Sequence, residues 1–408
     1  MNSFQVKPIL LGDSVSQARK FCTSFIAEYI FSFSSKSSTA YNPWKCTDTL
    51  KFLINSSEAP HITPGNGLID LSLLSVPLIR NIGISNHDKL NGLSQLLSES
   101  ILAYQCDSGG FSTSEKRFLP RKADPSATVF ALLAIIELNQ DNIKPVESII
   151  RKASDYLRQL IRGQKLNMSD IKLDHVMAAL ALAQSSISLR DHNLKKEVTN
   201  FLQPVLIERS PIKIRQTPSN FPVELKSAML ARIFIDIGLM SSESAFIANA
   251  CLLANSELPN LLKFTENLKH DVTTWSSRKK VSVPYLSAWT VNLIRLGALL
   301  DHPQYIDICG DILRFLTELT NDNLQKNGSS LSEYVTLSGT LCSKTPSSYS
   351  LRFFMEACLD AEIIFPRSDS TLDYSALSVE NSKISRQGDQ AIDNPYSQSK
   401  VSGLRIRA

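Results

Sequence analysis

Two stretches of the sequence, joined by a basic loop, decide the expected fold. Residues 105–111 read QCDSGGF, and residues 124–138 read DPSATVFALLAIIEL. The first stretch combines glycines, which allow a tight turn, with an aromatic residue that can pack between helices. The second places Pro125 in the first turn of a helix, where its missing N–H is not needed. This pattern predicts a turn that leads into a helix with more than one buried face.

A second segment repeats this plan further along the chain. Residues 271–275 read DVTTW, and residues 284–289 read PYLSAW after another basic loop. Both copies place an aromatic residue four positions after an Asp, and both place a proline at the start of the next helix. A weaker third copy lies at residues 41–50. Self-similarity of this kind predicts a chain built from repeated helix pairs.

Apolar residues recur at helical spacing through most of the chain, and strand-like alternation is scarce. The candidate helices cover residues 14–33, 45–55, 67–82, 89–105, 126–139, 146–162, 172–188, 191–208, 222–238, 243–254, 284–300, 303–320, 330–342 and 348–364. Several are apolar on more than one face, as at 129–138, 176–183 and 288–300, which predicts an inner ring. Others, at 146–161 and 193–207, are amphipathic, as outer helices should be.

We therefore expect an all-α fold, an α/α toroid of about six to seven helix pairs in a single domain over residues 1–365. Residues 366–408 are rich in Ser, Asp, Asn and Gln and predict a disordered C-terminal tail. The 43 basic and 39 acidic side chains are too evenly balanced to indicate a nucleic-acid partner. No apolar run reaches the roughly 20 residues of a membrane span, and the scattered cysteines indicate reduced thiols, so a cytoplasmic location is expected, with peripheral membrane contact left open.

The segment from Gln105 to Leu133 resembles the α/α toroids of the terpenoid cyclase and protein prenyltransferase superfamily, whose repeats read QxxDGGF or QxxDGxW. The resemblance implies a class II terpene cyclase-like enzyme, an isomerase or lyase of secondary metabolism, that acts on an isoprenoid. Mg²⁺ is expected only if that substrate is a diphosphate. Asp307 and Cys309 have the local spacing of the prenyltransferase zinc site, but no histidine follows His302, so no metal site is predicted.

The resemblance implies that Asp124 is the catalytic proton donor. The family's acid lies in a DxDD-type run, and here Lys122 and Pro125 stand where the flanking acids are expected. Asp124 also fits the N-cap of the helix that begins at Pro125, which is the simpler of its two roles. The predicted substrate-binding residues are a basic cluster for an anion and a set of aromatics for a carbocation: Lys116, Arg117, Arg121, Lys122, Phe111, Trp275, Tyr285 and Trp289.

Two other functions remain open at this point. The chain could be a catalytically inactive toroid that binds a protein or a lipid, because the acid motif is incomplete. It could also be a carbohydrate-active α/α barrel, which needs a pair of carboxylates facing one cavity. Asp170 and Asp174 are the candidates for such a pair by helical spacing.

Overall fold

The computed structural model describes residues 11–32, 61–62, 67–82, 87–113, 122–207, 213–214, 224–269, 280–327, 331–336, 342 and 347–365. The helices within these ranges are α1 Leu11–Ile30, α2 Leu68–Asn81, α3 His87–Leu102, α4 Pro125–Leu138, α5 Glu147–Ile161, α6 Leu173–Ser188, α7 His192–Ile207, α8 Leu225–Ser241, α9 Ser244–Lys269, α10 Val283–Leu300, α11 Pro303–Asn327 and α12 Ser348–Ile364. A short 3₁₀ helix, Lys144–Val146, precedes α5.

Two small antiparallel ribbons accompany the helices. Strand β1, Phe31–Ser32, pairs with β2, His61–Ile62, and β3, Lys280–Ser282, pairs with β4, Tyr334–Thr336. In the second ribbon Val281 lies opposite Val335. The sequence predicted a helix over 330–342, and this was wrong because Tyr334–Thr336 pairs as a strand.

The even-numbered helices form a closed inner ring. Helix α2 contacts α4, α4 contacts α6, and the contacts continue through α8 and α10 to α12, which returns to α2. The odd-numbered helices lie outside this ring, each against one or more inner helices. The expected all-α toroid is therefore confirmed, with six helix pairs among the described residues.

The inner and outer helices differ as the sequence predicted. Helix α4 is buried along most of its length, and α10 is buried from Val283 to Gly297 except at Tyr285. Helix α10 is long and apolar enough to cross a membrane, but 78% of it is buried inside the protein, as expected for a core helix of the ring. The outer helix α5 buries a single stripe that includes Ile150 and Leu157.

Short turns connect inner helices α6, α8 and α10 to the outer helices that follow them. At each of these turns a residue other than glycine adopts a left-handed conformation, with φ values of 53° at Arg190, 59° at Ser242 and 55° at Asp301. Such residues end a helix and reverse the chain within two or three positions. Neighbouring helices joined in this way run antiparallel, so the longer connections gather at the N-terminal ends of the inner helices.

Three sequence predictions lie outside the described residues. These are the candidate helix at 45–55, the third repeat copy and the tail at 366–408. The candidate helix at 243–254 was too short, because α9 continues to Lys269 through Pro259.

Candidate functional site

A network of ion pairs lies between inner helices, in their middle and C-terminal turns. Arg232 of α8 contacts Glu356 of α12, with Nη1 and Oε2 2.9 Å apart. Arg295 of α10 joins α8 to α12 through Asp236, at 3.1 Å, and Asp360, at 2.7 Å. The network thus links three inner helices by side chains that are almost completely buried.

The opposite charges of this network stabilise one another in their ionised forms. Glu356 lies between Arg232 and Arg352, whose Nη2 is 2.5 Å from its Oε1. Burial by itself raises the pKa of Glu356, but the attraction of Arg232 and Arg352 outweighs it and holds the pKa below its ordinary value. Burial lowers the pKa of Arg352, and Glu356 opposes that change. Glu356 is therefore a fixed anion at neutral pH and not a proton donor.

A cavity of about 120 Å³ lies on the axis beside this network. It is lined by α2, α4, α6, α8 and α12, and its polar lining includes Arg80, Glu137, Gln184 and Arg352. Phe130 and Phe353 form part of its apolar wall. We call this space the axial cavity.

Two polar side chains of the axial cavity keep unused hydrogen-bonding capacity. Arg80 donates from both Nε and Nη2 to the same oxygen of Glu137, Oε1, at 2.9 and 2.5 Å. The second oxygen, Oε2, accepts no hydrogen bond from any residue that the structure describes. The amide of Gln184, on the adjacent inner helix, likewise makes no hydrogen bond within the described ranges. A carboxylate oxygen and an amide therefore face the cavity and can bind a hydroxylated ligand.

A second polar cluster lies at the N-terminal ends of the inner helices. Asp70 of α2 accepts hydrogen bonds from Tyr29, at 3.0 Å, and from Ser348 of α12. Burial, followed by the negative charges of Asp70 and Asp124, raises the pKa of Tyr349. The Tyr349 ring packs edge-on against Phe130, at 6.2 Å between ring centroids, and Phe130 in turn lines the axial cavity.

The predicted repeat motif holds a loop against two helices. Phe111 is fully buried, and its N–H donates to the Thr128 hydroxyl of α4 at 2.8 Å. Its carbonyl oxygen accepts from the N–H of Asp124, also at 2.8 Å. Gly109 has φ +87°, and a Cβ atom there would lie 2.5 Å from the Lys152 carbonyl oxygen of α5. These contacts explain the motif as a structural clamp.

Asp124 occupies the N-cap of α4. Its Oδ1 accepts a hydrogen bond of 2.8 Å from the N–H of Ala127, and Pro125 stands at the first helical position. Asp124 therefore acts as a helix N-cap, which is the simpler of the two roles expected for it. Its role as a catalytic acid stays a prediction.

The structure does not bring the predicted substrate-binding residues into one cavity. Lys116, Arg117, Arg121 and Trp275 lie outside the described residues, and Lys122 is exposed. The Tyr285 hydroxyl donates to Glu257 Oε2 at 2.8 Å, in a different part of the barrel. Trp289 is completely buried, and its indole N–H has no partner in the described part of the chain. Contact of these residues with a substrate stays a prediction.

Among the described residues, no group of three or more His, Cys, Asp and Glu side chains has the arrangement of a metal site. Six cysteines within the same ranges are free thiols.

No family model and no curated protein matches the sequence. The fold, however, is similar to several solved structures. A cellobiose 2-epimerase from Spirochaeta thermophila aligns with a TM-score of 0.52 and 13% identity, over 73% of this chain and 85% of that one. A family 76 glycoside hydrolase from a bovine Bacteroides thetaiotaomicron strain aligns with a TM-score of 0.52 and 10% identity, over 86% of this chain and 78% of that one. A D-mannose isomerase aligns with a TM-score of 0.53 and 10% identity, over 88% of this chain and 98% of that one.

This chain shares their α/α toroid fold. These neighbours act on sugars, and the expectation of a terpene cyclase-like enzyme with an isoprenoid partner is therefore wrong. Six of the seventeen residues that line the axial cavity are charged. The alternative of an inactive binding module gains no support from these neighbours.

The sequence interpretation missed the axial residues, although a signal was present. Charged residues recur at a spacing of four inside otherwise apolar helices, as Arg232 and Asp236 do in α8 and Arg352 and Glu356 do in α12. A charge on a helix without a polar face must be paired inside the protein. This pattern distinguishes the axial side chains from those of solvated surfaces.

Proposed function

We propose that the protein processes a carbohydrate and binds one sugar unit in the axial cavity. The observation that carries this proposal is that Glu137 Oε2 and the Gln184 amide both line the cavity and keep hydrogen-bonding capacity that no other described residue uses. A carboxylate oxygen accepts from a sugar hydroxyl, and an amide can donate to one and accept from another. Sugar-processing neighbours with the same fold support the choice of ligand class.

The axial cavity accommodates part of a monosaccharide. Its volume of about 120 Å³ is near that of engineered protein cavities of about 150 Å³ that hold one benzene ring. A hexose has twice as many non-hydrogen atoms as benzene, so part of the sugar has to extend out of the cavity. Phe130 and Phe353 offer apolar surface to a ring face, while Arg352 supplies donors that suit hydroxyl oxygens.

The ion-pair network gives the site its rigidity. Arg232, Arg295 and Arg352 are each held by carboxylates, so their guanidinium groups are oriented before any ligand arrives. Preorganised donors bind a ligand without the cost of ordering flexible side chains. Glu137 is the candidate proton-transfer group, because one of its oxygens is available to the cavity. The cytoplasmic location expected from the sequence stays a prediction.

The test of this function is a product screen. The purified protein is incubated with a panel of aldoses, ketoses and β-linked and α-linked disaccharides, and the anomeric proton signals are followed by NMR. New anomeric signals are expected for at least one sugar, and they must be lost in the Glu137→Gln variant. Unchanged spectra for every sugar, from protein shown by circular dichroism to be folded, contradict the proposal.

A further inference from the structure

A larger cavity lies away from the axis, between inner helices α8 and α10 and outer helix α9. Its volume is about 610 Å³, within the range of about 300–1,000 Å³ that is usual for small-molecule sites. Strand β3 completes its wall. Leu261, Phe264 and Leu286 supply a buried apolar surface on one side. We call this space the lateral cavity.

Three lysines from three different elements line the lateral cavity. Lys226 lies in the first turn of α8 and is only 5% exposed, whereas Lys263 of α9 and Lys280 of β3 are exposed. Three ammonium groups around one cavity create a positive potential that favours an anion.

The two carboxylates of the same wall, Glu224 and Glu257, offset only two of the three positive charges. Glu257 Oε2 accepts from Tyr285 at 2.8 Å and from Asn260 at 3.2 Å, and its Oε1 accepts from Ser227 at 3.4 Å. These three neutral donors already stabilise its charge, while burial and Glu257 raise the pKa of Tyr285 and keep its hydroxyl protonated. Glu224 is exposed, and its side chain makes no capping bond to α8.

We propose that the lateral cavity is a binding site for a small phosphate monoester, with Lys226, Lys263 and Lys280 contacting the phosphate group. The phosphate oxygens accept charge-assisted hydrogen bonds from the three ammonium groups. The organic part of the ligand packs against Phe264 and Leu286 and reaches the Asn260 and Asn267 amides. This site is separate from the axial cavity and does not rest on the proposed function.

The test is isothermal titration calorimetry of the full-length protein with inorganic phosphate, glycerol 3-phosphate, glucose 6-phosphate and glucose. The phosphate-bearing compounds are expected to bind, and the two esters more tightly than inorganic phosphate, because the apolar wall contributes. Glucose lacks the anion, so it is expected to leave this site empty. Raising the salt concentration is expected to weaken the binding of all three phosphates.

Charge variants with a matched control locate the binding. Lys263→Met and Lys280→Met each remove one charge-assisted bond and are expected to weaken binding of glucose 6-phosphate about tenfold. Lys196→Met, at an exposed position of outer helix α7, is the control and is expected to change nothing. Glu224→Gln removes a negative charge from the lateral cavity and is expected to tighten binding. Since Lys226 is buried and its replacement can disturb the fold, the exposed lysines carry the test.

Phosphate affinities that are equal in Lys263→Met, Lys280→Met and Lys196→Met overturn the proposal, as does weaker binding in Glu224→Gln. Glu137→Gln separates this proposal from the function of the axial cavity. That variant must bind glucose 6-phosphate as the wild type does even if it loses all activity towards sugars. A wild type that binds phosphates but turns over no sugar supports the lateral site and contradicts only the proposed function.

Discussion

Replacement of Gly109 by alanine tests whether the QCDSGGF motif is a structural clamp. Gly109 has φ +87°, and an added Cβ atom would lie 2.5 Å from the Lys152 carbonyl oxygen and 2.9 Å from the carbon of the same group. The left-handed conformation costs a residue with a Cβ about 1–2 kcal/mol, and forcing backbone atoms apart adds about 1–3 kcal/mol. We expect Gly109→Ala to lower the free energy of unfolding by about 3 kcal/mol.

Two other glycines distinguish the cost of the left-handed conformation from the cost of the close contact. Gly163 also has a positive φ, +69°, but no atom lies within 4 Å of its added Cβ, so Gly163→Ala should cost only about 1 kcal/mol. Gly92 is exposed within α3 and also has open space, so Gly92→Ala should stabilise by about 0.5–1 kcal/mol. The assay is urea denaturation followed by circular dichroism at 222 nm. Equal losses for Gly109→Ala and Gly163→Ala would refute the close contact with α5.

The remaining predictions concern the ion-pair network and the α4 cap. Glu356→Gln leaves Arg232 and Arg352 without their shared carboxylate and should cost about 3 kcal/mol at pH 7. Because the folded-state pKa of Glu356 is depressed, its stabilisation is complete above the unfolded-state pKa of about 4.3 and is lost as the pH falls towards the folded value. The difference in unfolding free energy between wild type and variant must therefore shrink on acidification, and a constant difference contradicts the pairing. Asp124→Ala should cost about 1 kcal/mol and Asp124→Asn only a few tenths, since asparagine also caps helices, and equal thermal shifts for both variants contradict the capping role.

The fold could be predicted from the sequence because its signals are local. The apolar helices at 129–138 and 288–300 need neighbours on more than one side, and an inner ring provides them. The positions of the ribbons could not be predicted in this way. Tyr334–Thr336 pairs with Lys280–Ser282 across more than fifty residues, and pairing over such a distance leaves no periodic pattern in a three-residue strand.

The candidate site was harder to predict from the sequence than the fold. Arg232, Arg295 and Glu356 come from three different helices, and their contact depends on ring closure. The QCDSGGF motif resembles a family signature, and Asp124 was predicted to be catalytic on the basis of that resemblance. The contacts of the motif itself pack a loop on α4 and α5. A motif that recurs for structural reasons indicates the fold, but it does not indicate the reaction that the protein catalyses.

Sugar binding by matched glutamate variants tests whether the axial cavity is the sugar-binding site. Glu137 and Glu147 each accept two hydrogen bonds from one arginine on a single oxygen, Glu137 from Arg80 beside the axial cavity and Glu147 from Arg151 on the outer surface. Saturation-transfer NMR measures contact of a monosaccharide with the wild type, Glu137→Gln and Glu147→Gln. If the account is right, Glu137→Gln loses most of the transferred signal and Glu147→Gln keeps it. Equal signals in all three proteins would show that the sugar does not bind in the axial cavity.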